Sequence, residues 1–202
     1  MGKTIADLIS GAGPRTVGLD LSGSEERLSG WALLEGLRVR TRLLKFDSEI
    51  LELTCRSEPE FVAIDAPLTW PKEGYMRDVD RLMHKIGLPV LPPLFPAMRM
   101  LTARGIRLAE ALRARGLRVI EVHPASTRKV LGLPVKGRKA IQDALLGLGL
   151  RGDLEERQLT VHELDAITAA LTASLHVLGV SELVRTEDGE ICIPRRELGL
   201  AR

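Results

Sequence analysis

The sequence predicts an α/β protein in which helices flank a mixed, five-stranded β-sheet. Three observations predict this class. Strand-like apolar runs follow one another early in the chain, and Glu35-Gly36 is a tight hairpin signal between two of them. Later apolar runs are short and unbroken, as in strands that are buried on both faces. Segments with apolar residues at helical spacing lie between and after these runs.

The five predicted strands share short runs rich in Val, Ile and Leu. They cover residues 17–22, 31–34, 37–44, 61–64 and 118–122. The six predicted helices share apolar residues at helical spacing, and several have a cap or stop signal. They cover residues 47–56, 75–86, 98–115, 126–131, 137–148 and 162–178. Asp188-Gly189 predicts a small hairpin over residues 181–193.

A proline-rich stretch, residues 67–96, interrupts the pattern after the fourth strand. It contains six of the eleven prolines and three of the six aromatic residues, namely Trp70, Tyr75 and Phe95. Proline-stiffened loops with aromatics often contact ligands, although the same aromatics could fill a secondary core. Because no polar linker divides the chain, we expect one domain. We expect this domain to span residues 1–202. Within it we predict a core at about 15–179, an insertion at about 67–117 and the hairpin at 181–193.

The composition is that of a soluble globular protein and indicates no particular partner. Net charge is +2, and hydrophobic residues make up 45% of the chain. Cys55 and Cys192 lie far apart and form no metal-type pair, which favours a reduced, cytoplasmic protein. No apolar run approaches ~18 residues, and the N-terminus lacks the apolar stretch of a signal peptide. The absence of Asn, with abundant Arg and Glu, indicates a thermophilic source.

Acidic residues stand where three apolar strands end. They are Asp20, Asp65 and Glu121, and a fourth acid, Asp165, lies in the last predicted helix. A buried carboxylate is costly unless it is protonated, hydrogen-bonded or paired with a cation. The carboxyl ends of parallel strands meet at one edge of a sheet, where ligands gather. The four acids therefore predict a catalytic site for Mg²⁺ or Mn²⁺, which prefer oxygen ligands.

Each acid also has a local alternative. Asp20 could accept hydrogen bonds from the backbone of the turn that follows it, and Asp65 could order the turn at Ala66-Pro67. Glu121 could pair with Arg128 or Lys129.

The helical acid has two alternatives as well. Asp165 and Glu163 could simply interact with the helix dipole. Glu163 could also replace Asp165 as a metal ligand. His162 lies three residues before Asp165 and shares its side of the predicted helix.

Basic residues concentrate in one segment. Residues 98–139 contain eleven Lys or Arg and two acids, a net charge of +9, whereas the rest of the chain is −7. A phosphodiester substrate would need such a surface beside a metal site, although the arginines of helix 98–115, Arg104 among them, could simply form its solvated side. The candidate substrate-binding residues are polar, basic or aromatic and lie in this segment or near the strand ends. They are Ser22, Trp70, Arg77, Arg99, Arg104, His123, Arg128, Lys129 and Lys136. For Arg77 the alternative is a pair with Asp80, one helical turn away.

Four segments resemble a family of predicted RNase H-fold nucleases, domain of unknown function 429. They are VGLDLSGS at 17–24, VAIDAPLTWP at 62–71, EVHPAS at 121–126 and HELDAITAALTAS at 162–174. The resemblance implies an RNase H-like sheet of three antiparallel strands and then parallel strands, with a proline-rich insertion after strand four. It also implies a metal-dependent nuclease site at Asp20, Asp65, Glu121 and Asp165. In similar RuvC-like resolvases, acids on the first strand, the fourth strand and the last helix form the site, so Glu121 is the least expected ligand.

The leading hypothesis is a metal-dependent nuclease that hydrolyses phosphodiester bonds in nucleic acid. A phosphotransferase of the actin and sugar-kinase type is an alternative, but such proteins need two domains and the chain lacks a Gly-rich phosphate loop. A non-catalytic module that binds nucleic acid or protein is a third hypothesis. The sequence does not distinguish DNA from RNA, and it is compatible with a homodimer.

Overall fold

The computed structural model describes residues 5–10 and 13–198. Within them, eight α-helices and a terminal 3₁₀ turn alternate with eight strands. The helices are α1 (Ile5–Ile9), α2 (Asp47–Arg56), α3 (Asp78–Lys85), α4 (Arg99–Arg113), α5 (Pro124–Val130), α6 (Arg138–Gly147), α7 (Asp153–Glu156) and α8 (Val161–Val177). The strands are β1 (Arg15–Asp20), β2 (Ser29–Glu35), β3 (Arg38–Leu44), β4 (Phe61–Asp65), β5 (Val119–Glu121), β6 (Arg151–Gly152), β7 (Ser181–Thr186) and β8 (Gly189–Pro194). No helix among these residues is long and apolar enough to cross a membrane.

The main sheet has the strand order β5-β4-β1-β2-β3-β6. Strands β1, β2 and β3 are antiparallel neighbours, whereas β4 and β5 run parallel to β1. The predicted mixed sheet is therefore confirmed, but the predicted number of five strands was too low. The sixth strand, β6, pairs with β3 over only two residues, too short a segment to produce a strand pattern in the sequence.

Two helical layers cover the sheet. Alternate residues of β1 point to opposite faces, as the strand period requires. Val17 and Leu19 pack with the apolar sides of α2 and α4, whereas Thr16 on the other face donates a hydrogen bond from Oγ1 to the carbonyl of Ala170 in α8. A second core cluster, which includes Leu164 and other residues of α8, fills the space between that face and α6.

Helix α8 lies unusually close to the sheet because glycines occupy two positions beneath it. A Cβ placed on Gly18 would lie 2.0 Å from the carbonyl oxygen of Ala166. A Cβ on Gly30 would lie 2.0 Å from the carbonyl oxygen of His162. Only glycine permits such an approach between backbones. The approach holds the first turns of α8 against the ends of β1 and β2.

The hairpin of β7 and β8 packs on α3, and Cys192 of β8 also packs against β4, β5 and α8. Val79 and Met83 of α3 form a separate core cluster with Val184 and Ile191 of the hairpin. The hairpin touches the main sheet through an isolated parallel bridge between Val122 and Cys192. It thereby fixes the proline-rich segment beside the carboxyl ends of β1 and β4. The predicted hairpin is confirmed, and its second strand runs one residue further at each end.

Candidate metal centre

Asp20 and Asp65 lie side by side at the carboxyl ends of β1 and β4. The two residues are direct partners in the parallel register, and both strands end at them. The register places Ile64 opposite Glu121, so the third strand-end acid also lies at this edge. The shared strand end that the sequence predicted for these three acids is therefore present in the structure.

Helix α8 adds Asp165 to this edge. Burial raises the pKa of Asp65 well above its usual range, and the neighbouring charges of Asp20 and Asp165 raise it further. Burial also raises the pKa of Asp20, with a smaller contribution from Asp165 and an opposing hydrogen bond from His162. The three carboxylates therefore lie close enough together to disfavour simultaneous ionisation.

The three acids differ in their partners. The Nδ1 of His162 donates to Asp20 Oδ2 over 2.7 Å, and this hydrogen bond raises the pKa of His162. The Nη1 of Arg128 donates to Asp165 Oδ1 over 2.5 Å. Asp65, the register partner of Asp20, differs from both, because no described residue donates a hydrogen bond to its carboxylate or pairs with it. One histidine and one arginine thus pair with two of the three carboxylates, and the third carboxylate has no such partner among the described residues.

The oxygen donors and the negative charges of these three acids suit a divalent cation, but their observed arrangement does not form a metal site. Carboxylate oxygens are the ligands that Mg²⁺ and Mn²⁺ prefer, and a divalent ion would offset the repulsion among the carboxylates. In the conformation observed, however, no three His, Cys, Asp or Glu side chains in the described part of the chain are grouped as a metal site. In this conformation His162 engages an oxygen of Asp20, and Arg128 engages an oxygen of Asp165.

Glu121 is engaged by another part of the protein. Both of its oxygens accept hydrogen bonds from Arg77, at 2.6 and 2.8 Å, and Oε2 also accepts one from the backbone N–H of Leu68. Burial raises the pKa of Glu121, and the arginine opposes this. The alternatives Arg128 and Lys129 were therefore the wrong partners. Glu121 ties the proline-rich segment to β5, and its oxygens are not free to bind a metal while Arg77 remains in place.

Arg77 is a buried arginine with a complete set of acceptors. Its side chain is 1% exposed, and it pairs with Asp80 at 2.7 Å as well as with Glu121. Its Nη1 also donates to Thr69 Oγ1. The predicted Arg77–Asp80 pair is confirmed. A substrate contact by Arg77 would require this buried network to open, so we assign Arg77 to the scaffold.

Arg104 was a candidate for substrate binding with the solvated side of its helix as the alternative, and its burial corrects that alternative. Its side chain is 1% exposed and lies between α4 and the loop that follows β1. The guanidinium donates to Asp47, to Ser22 and to backbone carbonyls of the loop. Ser22 is itself buried and donates to the carbonyls of Ser24 and Arg27. Arg104 and Ser22 therefore shape the loop beside Asp20, and their side chains are engaged within the protein.

The other candidate residues for substrate binding occupy two kinds of position. Arg99, Lys129 and Lys136 are exposed, and Trp70 is 41% exposed. His123 is partly buried beside the acids, with Nδ1 2.7 Å from Ser126 Oγ. Burial lowers the pKa of His123, so it is neutral near pH 7. Binding roles for these residues stay predictions.

A cavity of about 210 Å³ opens beside the acids. Asp20, Asp65 and Glu121 line its polar side, and residues such as Leu91 and Met98 line its apolar side. Exposed aromatics of the proline-rich segment, including Tyr75 and Phe95, belong to the same part of the chain. A larger depression of about 780 Å³ lies near Glu52 and Pro59, at the opposite end of β4, and contains none of the strand-end acids. Its size alone does not indicate a catalytic site.

Glu163, the alternative ligand, has a structural role. It is buried and accepts hydrogen bonds from Thr160, Thr41 and Arg157 in a capping box at the start of α8. Burial by itself would raise its pKa, but Arg157 and Thr160 lower the pKa to about 2. The capping-box pattern of Thr160 and Glu163 was visible in the sequence and would have identified this role.

Two partners of the acids were not assigned from the sequence. Arg128 was considered as a partner of Glu121 and as a substrate contact, but it pairs with Asp165. The bond from His162 to Asp20 joins positions 142 residues apart. No local pattern marks such a pair, because it depends on how α8 packs across the sheet.

The model of a family described as protein of unknown function (DUF429) matches residues 18–189. The chain belongs to this family. The three antiparallel strands, the parallel strands beside β1 and the acid-bearing α8 form an RNase H-like fold.

Two solved structures are similar to this DUF429 chain. One is T. thermophilus RuvC in complex with a Holliday junction substrate, and the other is a further structure of Thermus thermophilus RuvC. Each is 17% identical, with a TM-score of 0.47, and the match covers 82% of this chain and 96% of that chain. No curated protein matches the chain.

Proposed function

We propose that this protein is a metal-dependent nuclease whose site is formed by Asp20, Asp65 and Asp165. The observation that supports the proposal most directly is the state of Asp65. Its carboxylate lies beside Asp20, its pKa is raised by burial and by the charges of Asp20 and Asp165, and no described residue donates a hydrogen bond to it. A half-buried carboxylate that two neighbouring acids repel favours a proton or a cation, and a divalent cation would serve all three acids at once.

Each residue of the centre has a distinct role in this proposal. Asp20 and Asp65, on neighbouring strands, would hold the ion, and Asp165 would join them from α8. A divalent ion supplies a bound water of lowered pKa and neutralises charge on a scissile phosphate. His162 orients Asp20 through its hydrogen bond to Oδ2. Glu121 lies outside the ligand set and fixes the wall of the cavity through Arg77.

The basic and aromatic side chains that the structure exposes support nucleic acid as the substrate class. Residues 98–139 carry a net charge of +9, and Arg99 and Lys136 among them are exposed. Basic side chains attract the phosphate backbone without regard to sequence. Trp70 and Phe95, both exposed, offer faces on which bases can stack. These contacts serve DNA and RNA alike.

The test is a cleavage assay with the purified protein. We expect Mn²⁺ or Mg²⁺ to support cleavage of at least one member of a panel of labelled single-stranded, duplex, hybrid and branched substrates, and a chelator to abolish it. Asp65→Asn and Asp20→Asn keep the side-chain size and remove the charge, so each should reduce cleavage to the background level.

A matched control separates the site from general charge effects. Asp143→Asn makes the same chemical change in an exposed carboxylate of α6 that pairs with Lys139. We expect this variant to cleave like the wild type. Equal cleavage by the wild type and Asp65→Asn would reveal a contaminating nuclease and refute the proposal.

A further inference from the structure

Three arginines are buried in the described part of the chain, and one of them differs from the other two. Every nitrogen of the Arg77 guanidinium donates to a protein oxygen, and so does every guanidinium nitrogen of Arg104. Arg128 is as deeply buried, with a side chain that is 4% exposed. It has far fewer partners.

The bonds of Arg128 all leave from a single nitrogen. Its Nη1 donates to Asp165 Oδ1 over 2.5 Å and to Thr168 Oγ1 over 3.1 Å. Its Nε is buried and has no hydrogen-bond partner, and no other buried side-chain nitrogen or oxygen in the described residues lacks one. An unsatisfied buried donor costs free energy. The surroundings of Arg128 therefore do not provide a complete set of hydrogen-bond acceptors.

The attraction that offsets this cost comes from the acids. Arg128 lies in α5, which packs against α8, and it is the cation paired with Asp165 at the site. Burial and mutual repulsion raise the pKa of Asp65 and Asp20, whereas the charge of Arg128 lowers both. Arg128 therefore supplies positive charge at the place where the three carboxylates lack it.

We propose that Arg128 is an internal cation that takes the place of the metal ion in the metal-free protein, and that a divalent ion binds fully only after Arg128 releases Asp165. The inference rests on the proposed metal centre and concerns how that centre is regulated. Metal binding and the Arg128–Asp165 pair then compete for one carboxylate, so weakening the pair must strengthen metal binding by the same free energy.

The test measures Mn²⁺ affinity by titration calorimetry on metal-free protein without nucleic acid. Arg128→Gln should bind Mn²⁺ at least about tenfold more tightly than the wild type, within the usual 5–150-fold range of coupling between two sites. Lys129→Gln is the matched control, since it removes one positive charge from the same helix at an exposed position whose Nζ bonds to Gly87. Its Mn²⁺ affinity should equal that of the wild type.

A second variant covers the case in which Arg128→Gln does not fold. Thr168→Val keeps every charge and nearly the same shape, and it removes one of the two acceptors of Arg128 Nη1. It should bind Mn²⁺ severalfold more tightly than the wild type.

The possible results separate the two proposals. Unchanged affinity in Arg128→Gln, or in Thr168→Val if the first variant is unfolded, overturns the role of Arg128 and leaves the metal centre intact. Equal tightening in Lys129→Gln also overturns it, because the effect would then be a general one of charge. Absence of Mn²⁺ binding in the wild type and all variants overturns the metal centre together with this inference.

Discussion

The close approach of α8 to the sheet makes a sharp prediction for Gly18→Ala. The new Cβ would lie 2.0 Å from the carbonyl oxygen of Ala166 and 2.4 Å from the backbone nitrogen of Ala170. Ordinary contact begins near 3.4 Å, so the helix must retreat by roughly 1.4 Å at this point. Both obstacles are backbone atoms and cannot rotate away. Overpacking of this kind costs about 1–3 kcal/mol, which lowers the melting temperature of a chain of this size by about 2–12 °C.

The same retreat should affect the site. Asp165 precedes Ala166 in the helix, so it would move away from Asp20 and Asp65 with the backbone. A displacement of about 1 Å at a catalytic group can cost roughly 100-fold in rate. Thermal unfolding followed by circular dichroism, and Mn²⁺-dependent cleavage, measure the two effects separately.

A second glycine supplies the control. Gly147 ends α6, and a Cβ there would meet no atom within 4 Å. Gly147→Ala should leave activity unchanged and leave stability unchanged or raise it by up to about 1 kcal/mol, because alanine loses less entropy than glycine. If Gly18→Ala melts with the wild type and keeps its activity, the packing of α8 described above is wrong.

Three further predictions concern the charged groups. Asp65→Asn should stabilise the metal-free protein by about 0.5–2 kcal/mol in chemical denaturation at a pH where Asp65 of the wild type is ionised, because the variant lacks the charge that Asp20 and Asp165 repel; a loss of stability would contradict the repulsion. Arg77→Met should destabilise the protein by about 3–5 kcal/mol in the same assay, since Glu121 and Asp80 would lose their partner; a change below 1 kcal/mol would show that the network contributes little. Because the pKa of Glu163 falls from 4.5 to about 2 on folding, its charge stabilises the protein fully above pH 4.5 and ceases to do so as pH falls through 2. The stability difference between wild type and Glu163→Gln should therefore shrink steadily between pH 4.5 and 2, and a pH-independent difference would contradict this.

The sequence predicted the positions of the acids better than it predicted their hydrogen-bond partners. Asp20 and Asp65 follow unbroken apolar runs, and such runs end at a common edge when the strands are parallel. The structure places them as direct register partners. The pattern did not distinguish Glu121 from them, because all three acids follow the same kind of run.

The sequence-based prediction for Arg104 failed because it placed a buried side chain in solvent. Arg104 lies among solvated arginines in the sequence, and helical periodicity places it near them. The loop after β1, the start of β2 and the segment that enters α2 enclose it with six oxygen acceptors. That enclosure depends on a loop distant in sequence, so the local pattern contains no sign of it.

The sequence by itself determined the order of the longer elements and the strand ends that carry Asp20 and Asp65, because hydrophobic period and chain order are local properties. Only the tertiary structure decided which acids remain without a partner. Arg77 pairs with Glu121 across 44 residues, Arg128 with Asp165 across 37, and neither pair leaves a trace in any short segment. Whether a buried carboxylate is neutralised by an arginine or left for a cation depends on distances between elements, and packing alone sets those distances.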